Sequence, residues 1–155
     1  MKIRAGIIGF GYWGPNLARN FNSAPEVRLL KIADKNASRC ALAQRNFPQL
    51  KVTTQPDELI KAPDIDLVVI ATPVSTHFEL AMKALENGKH VWIEKPISSS
   101  SEEAIKIVDK AQQKNLIVMV DHTYLFTGAV KKIKETLTEG QLGKLYYYDS
   151  VRVNL

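Results

Sequence analysis

The sequence contains a single cysteine, Cys40, so no disulfide can form within the chain. Absence of disulfides is typical of reducing compartments, and we expect a cytoplasmic protein. Cys40 also has no second cysteine or nearby histidine as a co-ligand, so no metal site is predicted. No apolar run approaches the ~20 residues that a membrane-spanning helix requires. A strand-like run follows the N-terminus directly, which leaves no room for a signal peptide.

A strong excess of one charge is missing as well. Lys and Arg total 21 against 16 Asp and Glu, a net charge of +5, and the basic residues are dispersed along the chain. The nearest approach to a cluster, Lys131, Lys132 and Lys134, falls on the polar face of a predicted helix. We therefore expect a solvated surface that binds neither nucleic acid nor membrane. With 155 residues, 45% of them hydrophobic, the chain is long enough to bury a sizeable core.

A glycine-rich loop joins a predicted strand to a predicted helix. The stretch Gly9-Phe10-Gly11-Tyr12-Trp13-Gly14 follows the apolar run at residues 3–8. In such a G-x-G-x-x-G loop the first glycine permits a tight turn, the second lets a pyrophosphate approach the backbone, and the third lets helix and strand pack closely. The pyrophosphate would bind free N–H groups at the start of the helix. The motif alone is weak and a structural turn is the alternative, but its position favours a dinucleotide site.

An acidic residue at the expected distance strengthens that interpretation. Asp34 lies twenty positions after Gly14, at the end of the second apolar run. A carboxylate there accepts hydrogen bonds from the ribose hydroxyls of adenosine and repels the 2′-phosphate of NADP. The sequence therefore predicts NAD as the cofactor, with NADP less favoured.

Apolar runs alternate with amphipathic stretches along the chain. The run at residues 67–71 is apolar at every position, as is typical of a strand buried on both faces of a parallel sheet. Strands separated by helices with short connections predict an α/β fold with a doubly wound, mostly parallel sheet of the Rossmann type. The predicted strands are 3–8, 27–33, 52–54, 67–71, 90–93 and 116–120, and the predicted helices are 12–21, 37–47, 56–60, 77–86, 99–114 and 130–137.

Candidate ligand contacts follow the fourth strand, because ligands of this fold bind outside the carboxyl ends of the strands. Thr72 and Pro73 would border the nicotinamide ribose or the pyrophosphate, although a strand-terminating turn fits them equally. His77 begins the next helix and could contact the cofactor. A histidine that begins the helix and forms its hydrogen bonds with water is nearly as good an interpretation.

Charged residues follow the fifth and sixth strands. Lys95, in Glu94-Lys95-Pro96, could donate a hydrogen bond to the nicotinamide carboxamide or to a substrate hydroxyl, with Glu94 holding its ammonium. An exposed ion pair, or an ordinary turn, fits these three residues equally. In Asp121-His122, the imidazole has an unperturbed pKa near ~6.5 that suits a proton carrier. A hydrogen bond at a domain boundary is an equal alternative, and the role of His122 stays open.

The last segment changes character. Residues 145–153 are aromatic and β-branched, and Gly140 and Gly143 separate them from the preceding helix. This extended segment would add to an edge of the first sheet or open a further domain. We favour the second, because an exposed aromatic edge promotes association. The prediction is a dinucleotide-binding domain at residues 1–122, followed by a connecting helix and the first strand of a truncated substrate domain at 123–155.

These motifs together resemble one family. The glycine loop, Ala71-Thr72-Pro73 with His77, and Glu94-Lys95-Pro96 are similar to the N-terminal part of the Gfo/Idh/MocA oxidoreductases, the group of glucose–fructose oxidoreductase and inositol dehydrogenase. The similarity extends through residues 121–124 and 140–144 and so covers essentially the whole chain. Within the family, the Y-W-G and D-H-T-Y runs look most similar to nucleotide-sugar dehydrogenases that act at the 3-position of UDP-N-acetylglucosamine-type sugars.

The resemblance implies roles for individual residues. The glycines hold the pyrophosphate, Asp34 holds the adenosine ribose, and Lys95 assists catalysis by contacting the reacting hydroxyl. It gives His122 no catalytic role. The residues expected to bind the cofactor are Gly9, Phe10, Gly11, Tyr12, Trp13, Gly14, Asp34, Lys35, Ala71, Thr72, Pro73, His77, Glu94 and Lys95.

The resemblance also implies a reaction and a missing part. Members of the family carry a second α/β domain that forms the substrate pocket, supplies further catalytic residues and often mediates homo-oligomer formation. The chain stops at Leu155, where the first strand of that domain would run, so we expect it to be inactive alone. The intact protein would transfer hydride between a sugar or nucleotide-sugar carbon and nicotinamide. The alternatives are a stand-alone NAD(H)-binding redox sensor and a non-catalytic interaction domain.

Overall fold

Six short apolar strands form the centre of the computed structural model, which describes residues 2–151 and 153. All of the strands pair in parallel. In chain order they are β1 (Ile3–Ile8), β2 (Val27–Ala33), β3 (Lys51–Thr53), β4 (Leu67–Ile70), β5 (His90–Ile93) and β6 (Val118–Val120). Their order across the sheet is β3-β2-β1-β4-β5-β6. The order reverses between β1 and β4, so the fold is the doubly wound α/β fold of the Rossmann type that the sequence predicts.

Helices connect the successive strands, and a further helix follows the last strand. Capping residues and the glycine loop determine where two of the helices begin. Ser100 caps one helix by accepting a hydrogen bond from the Glu103 amide at 3.2 Å, so this helix begins at Ser101 rather than at the predicted residue 99. Another begins at Gly14, two residues later than predicted, because Tyr12 and Trp13 remain in the loop. The helices are α1 (Gly14–Ser23), α2 (Ala37–Asn46), α3 (Pro56–Ile60), α4 (His77–Glu86), α5 (Ser101–Gln113) and α6 (Gly128–Thr138), with short 3₁₀ turns at Val74–Thr76 and Thr123–Phe126. In the described residues, no helix has both the length and the apolar character needed to cross a membrane.

Both faces of the sheet are covered by packed side chains. The alternation along β4 shows this directly, because Val68 and Ile70 pack into one core cluster while Val69 packs into the other. All three side chains are fully buried. This arrangement confirms the continuous apolar run as a central strand buried on both sides.

The strand register brings all six carboxyl ends to one edge of the sheet. Ile8 pairs with Ala33 on one side and with Ile70 on the other, and the same level continues through Ile93 to Val120. The residues that leave the strands just beyond this level are Gly9, Asp34, Ala71, Glu94 and Asp121. The predicted site residues therefore emerge along one edge of the sheet.

The chain divides into two compact units, one ending at Asp121 and the other beginning at His122. The second unit contains a 3₁₀ turn and α6. Residues 145–151 and 153 of the predicted extended segment carry no strand assignment, and Arg152 lies outside the described residues. A strand requires a partner for its backbone groups, and none pairs with this segment in the described part of the chain.

An ion pair joins β1 to the start of β4 at the opposite edge of the sheet. Arg4 Nη2 lies 2.5 Å from Asp66 Oδ1, and the Arg4 backbone amide and Nε each donate to Oδ2 at 2.9 Å. The hydrogen bond from the guanidinium lowers the pKa of Asp66 to about 2. Because the folded-state pKa lies below its ordinary value near ~3.9, the pair stabilises the fold above that pH and loses its effect as the pH falls toward 2.

Asp66→Asn is therefore expected to lower Tm at neutral pH, by about 2–4 °C since a partly exposed pair contributes at most about 1 kcal/mol. The difference from the unsubstituted chain should shrink steadily between about pH 4 and pH 2. Thermal unfolding followed by circular dichroism across this range measures it. Asp109→Asn, which removes an exposed carboxylate on α5, should show no such pH-dependent difference.

Candidate functional site

The glycine loop leaves no space for side chains at its two ends. Gly9 has a φ of +101°, and a Cβ on it would lie 2.5 Å from the Ala71 carbonyl oxygen. A Cβ on Gly14 would collide with the Gly9 carbonyl oxygen. The end of β1, the start of α1 and the end of β4 therefore approach one another by backbone contact. A Cβ on Gly11 would meet only the flexible Arg39 guanidinium, with Nη1 at 2.7 Å.

The start of α1 has no side-chain cap, as is also true of α3, α4 and α6. Asn36 and Ser100 cap α2 and α5 through their side chains, whereas Trp13, the residue before α1, provides no side-chain cap. Among the described residues, the first turn of α1 contains no Asp or Glu. Amide groups at an uncapped helix start can bind an anion, and the helix dipole favours a negative charge there. Together with the glycine backbone, this forms a cradle that fits a pyrophosphate.

The aromatic residues of the loop lie in different environments. Phe10 is buried and packs edge-to-face on Phe47, with ring centroids 6.3 Å apart, so its side chain belongs to the core. Its amide donates to Asp34 Oδ2 at 2.6 Å. The side chain and the amide of Phe10 are therefore both engaged within the protein. Tyr12 is 85% exposed and packs edge-to-face on the half-exposed Trp13 ring.

Asp34 is held in place by backbone groups. It is 8% exposed, and besides the Phe10 amide it accepts a hydrogen bond from the Asn36 amide, at 2.8 Å on Oδ1. Each carboxylate oxygen retains capacity for a further donor, as two adjacent ribose hydroxyls require. Arg39 on α2 lies beside it, with Nη1 4.0 Å from Oδ2.

A cavity of about 410 Å³ opens between the ends of β1, β2 and β4. Its volume falls in the range of small-molecule sites. Of the predicted residues, it brings together those at the first glycine, after β2 and after β4, namely Gly9, Asp34, Lys35, Ala71, Thr72 and Pro73. The cradle and the cavity together fit the adenosine half of a dinucleotide.

Several cavity residues were not predicted from the sequence. Gln55, Pro56 and Asp57 follow β3, and the rule applied to β4, β5 and β6 would have found them at the same edge. Arg39 had a weaker signal, since only its place in the first turns of α2 brings it near Asp34. The remaining unpredicted lining residues are Ile8, Thr76, Glu79, Leu80 and Lys83.

The turn after β4 is tied by hydrogen bonds of its own. The Thr76 hydroxyl lies 2.7 Å from the Thr72 hydroxyl and donates to the Pro73 carbonyl at 2.8 Å. His77, at the start of α4, is only 1% exposed, and its ring faces the carbonyl oxygens of Thr72 and Pro96. Both ring nitrogens of His77 therefore lie against backbone carbonyls, and one of these, the Thr72 carbonyl, belongs to a residue that lines the cavity.

The turn after β5 separates a buried carboxyl from an exposed ammonium. Glu94 is 7% exposed and accepts a hydrogen bond from the Lys95 backbone amide at 3.2 Å. Glu94 thus orients the backbone of the turn instead of the Lys95 ammonium that the sequence pairs with it. Burial, and then the charge of Asp121, raises the pKa of Glu94. The exposed Lys95 stands at the carboxyl edge on the β4-β5-β6 side, and the peptide bond between it and Pro96 is cis.

The sixth strand contributes Asp121, whose amide donates to the Ile93 carbonyl at 2.9 Å. His122 is exposed and begins the second unit. Among the described residues, no three histidine, cysteine or carboxylate side chains are grouped to hold a metal ion.

Comparisons with known proteins agree with this geometry. Residues 3–122 match the model of an oxidoreductase family described as having an NAD-binding Rossmann fold, Gfo/Idh/MocA. The chain is 32% identical over 148 residues to an NAD⁺-dependent scyllo-inositol 2-dehydrogenase of Bacillus subtilis, covering 95% of this chain and 43% of that protein. It is 30% identical to an NADP⁺-dependent scyllo-inositol 2-dehydrogenase of the same organism, covering 94% and 40%.

A solved structure shows the same fold. The crystal structure of myo-inositol 2-dehydrogenase from Lactobacillus plantarum superposes with a TM-score of 0.85 at 23% identity, covering 93% of this chain and 43% of that one. The chain thus spans about two fifths of the length of the relatives it matches.

Proposed function

The chain belongs to the Gfo/Idh/MocA oxidoreductase family, and on that footing we propose that it forms the cofactor-binding part of a sugar or cyclitol dehydrogenase. The observation that carries the proposal is the exposed Lys95 at the edge where the second half of the sheet ends, beside a backbone held by the buried Glu94. In a doubly wound fold the first half of the sheet binds the adenosine side of a dinucleotide and the second half its nicotinamide side. Lys95 would therefore stand on the side where the reaction occurs.

The chemistry divides between cofactor and protein. Bound NAD⁺ supplies the hydride acceptor for an alcohol carbon. The glycine loop holds the pyrophosphate, Asp34 orients the adenosine ribose, and Lys95 hydrogen-bonds the reacting hydroxyl. Residues 1–122 would carry these functions, and residues 123–155 would lead into the substrate domain. Two relatives named for scyllo-inositol support a polyhydroxylated ring as substrate, and a nucleotide sugar remains the finer proposal.

The reading frame beyond Leu155 tests whether a substrate domain follows the cofactor-binding part. A further roughly 150–200 residues, enough for one domain, would support the dehydrogenase. An immediate stop codon would favour the redox sensor instead. Where the frame continues, oxidation of inositols, free sugars and UDP-linked sugars, followed by NADH absorbance, distinguishes the substrate classes.

We further propose that NAD is preferred over NADP. The carboxylate of Asp34 is fixed by the Phe10 and Asn36 amides, so it cannot easily turn away from a 2′-phosphate. Arg39 and Lys35 stand at the same cavity and would attract that phosphate once the carboxylate is gone.

Calorimetric titration of the 155-residue chain with NAD⁺ and NADP⁺ tests this preference. We expect NAD⁺ to bind at least about tenfold more tightly, and Asp34→Ser to weaken NAD⁺ by about tenfold while strengthening NADP⁺, because hydrogen bonds to charged groups contribute about 1.5–3 kcal/mol. Asp109→Ser on α5 is the control and should bind as the unsubstituted chain does. Absence of heat with either cofactor at millimolar concentration would contradict the binding proposal itself.

A further inference from the structure

The cavity that contains Asp34 also contains an ion pair between two helices. Asp57, in the first turn of α3, lies with its Oδ1 3.5 Å from the Lys83 ammonium on α4. Both residues line the cavity of about 410 Å³. Lys83 also pairs with Glu79, at 3.0 Å, on the same helix. The cavity therefore holds a second set of charged groups besides the carboxylate that is expected to bind the ribose.

The two ion pairs of Lys83 have different origins. Glu79 and Lys83 stand at positions i and i+4, which are neighbours on any helix surface, so helical geometry alone accounts for their pair. Asp57 and Lys83 belong to different helices, and their pair joins α3 to α4 at the cavity. The hydrogen bond with Glu79, and then the charge of Asp57, raises the pKa of Lys83, so its ammonium stays charged at neutral pH. The Asp57–Lys83 pair thus places a hydrogen-bond acceptor beside a donor.

Apolar side chains in the same cavity suit a flat ring. Pro73 follows β4, Pro56 begins α3, and Leu80 on α4 is 9% exposed. Small-molecule sites combine such apolar walls, which bury a ring, with a few polar groups that fix its orientation. The first half of a doubly wound sheet binds the adenosine half of a dinucleotide, so with Asp34 at the ribose the ring that enters this cavity is adenine.

The edge of adenine complements the ion pair. Its exocyclic amino group donates hydrogen bonds, and a ring nitrogen beside that group accepts them. A carboxylate can accept from the amino group while a neighbouring ammonium donates to the ring nitrogen. Asp57 uses only Oδ1 in its pair with Lys83, which leaves Oδ2 able to accept from a ligand. Hypoxanthine carries an oxygen in place of the amino group, so a carboxylate at the same place would face another acceptor.

We propose that Asp57 is a specificity-determining residue for the base of the cofactor: its carboxylate, held by Lys83, accepts a hydrogen bond from the amino group of adenine. The inference rests on the function proposed above and adds to it a contact with the base. It follows that the site distinguishes adenine from hypoxanthine, although the two rings have nearly the same shape, because the analogue leaves a polar group of the site unpaired.

Calorimetric titration of the 155-residue chain with NAD⁺ and with nicotinamide hypoxanthine dinucleotide tests this selectivity. The two compounds differ in the purine alone. We expect NAD⁺ to bind about five- to tenfold more tightly, the effect of one hydrogen bond to a charged group that water partly screens. Equal affinities for the two dinucleotides would overturn the role of Asp57.

Variants of the chain test which carboxylate makes the contact. The amide of Asp57→Asn carries both an acceptor and a donor, so it can pair with either base, and we expect the two affinities to differ by less than about twofold. Glu79→Gln also removes a partner of Lys83, yet it should keep the preference for NAD⁺. Glu86→Gln, on α4 but paired with Lys110 on α5, is the matched control and should bind as the unsubstituted chain does. Loss of the preference in Glu79→Gln, with its retention in Asp57→Asn, would contradict the assignment.

The outcomes separate this inference from the proposed function. Binding of NAD⁺ without discrimination between the two bases overturns the role of Asp57 and leaves the proposed function intact. No binding of either dinucleotide at millimolar concentration contradicts both. The Asp57 side chain is half-exposed, so Asp57→Asn is expected to fold, and circular dichroism checks this. Should it fail to fold, the comparison of the two dinucleotides on the unsubstituted chain and on Glu79→Gln decides.

Discussion

Gly9→Ala is expected to remove measurable NAD⁺ binding and to destabilise the chain by about 2–4 kcal/mol, the range that backbone strain and a clash reach together. At a φ of +101° an L-residue is strained, and the added Cβ would press on the Ala71 carbonyl at 2.5 Å. Both partners are backbone, so relief requires the ends of β1 and β4 to separate, and the cradle opens with them. Urea unfolding gives the stability, and calorimetry with NAD⁺ gives the affinity.

Gly88→Ala is the matched control for backbone strain without the clash. Gly88 also has a positive φ, +73°, but a Cβ there would meet nothing within 4 Å, and the residue precedes β5 at the edge away from the cradle. We expect a loss of about 1–2 kcal/mol from the conformation alone, with NAD⁺ affinity unchanged. Equal NAD⁺ affinity in Gly9→Ala and Gly88→Ala would contradict the placement of the pyrophosphate.

Lys95→Met is expected to lower kcat by about 10²–10⁴-fold in the protein that the whole reading frame encodes, the range typical for removing a group that assists proton transfer. NAD⁺ affinity should change little, because the Lys95 backbone and Glu94 keep the turn in place. Initial rates with the best substrate, and NAD⁺ titration of the same preparation, measure the two effects separately.

The control replaces another exposed lysine, Lys106 on α5, with methionine. It loses the same charge, away from the strand ends, and should retain full turnover. If the kcat of Lys95→Met lies within a few-fold of the unsubstituted protein, another group assists transfer of the hydroxyl proton. The proposed contact between Lys95 and the substrate hydroxyl would then be wrong.

The sequence predicts the fold well because its signals are local. Each strand is a short apolar run, and the reversal of strand order follows from the position of the glycine loop after the first of them. The contacts of individual side chains are less accessible: no sequence pattern identifies Arg39 as the neighbour of Asp34, or places the His77 ring between two carbonyls. The extended segment at residues 145–153 stays a prediction of the first strand of a further domain, since β-branched and aromatic composition forms a strand only where a partner exists.

Asp34 does two jobs in this fold, and that limits how the cofactor preference can be redesigned. Its Oδ2 accepts a hydrogen bond from the Phe10 amide. The residue expected to bind the ribose therefore also connects the glycine loop to the end of β2. A substitution that removes the acceptor leaves a buried N–H unpaired, a cost of about 1–3 kcal/mol borne by the phosphate cradle itself. An NADP-using version of this protein should therefore be reached more readily through asparagine, which keeps an acceptor for Phe10, than through alanine. A substitution of Asp34 that changes the selectivity between NAD and NADP therefore also changes the affinity of the glycine loop for the pyrophosphate of either cofactor.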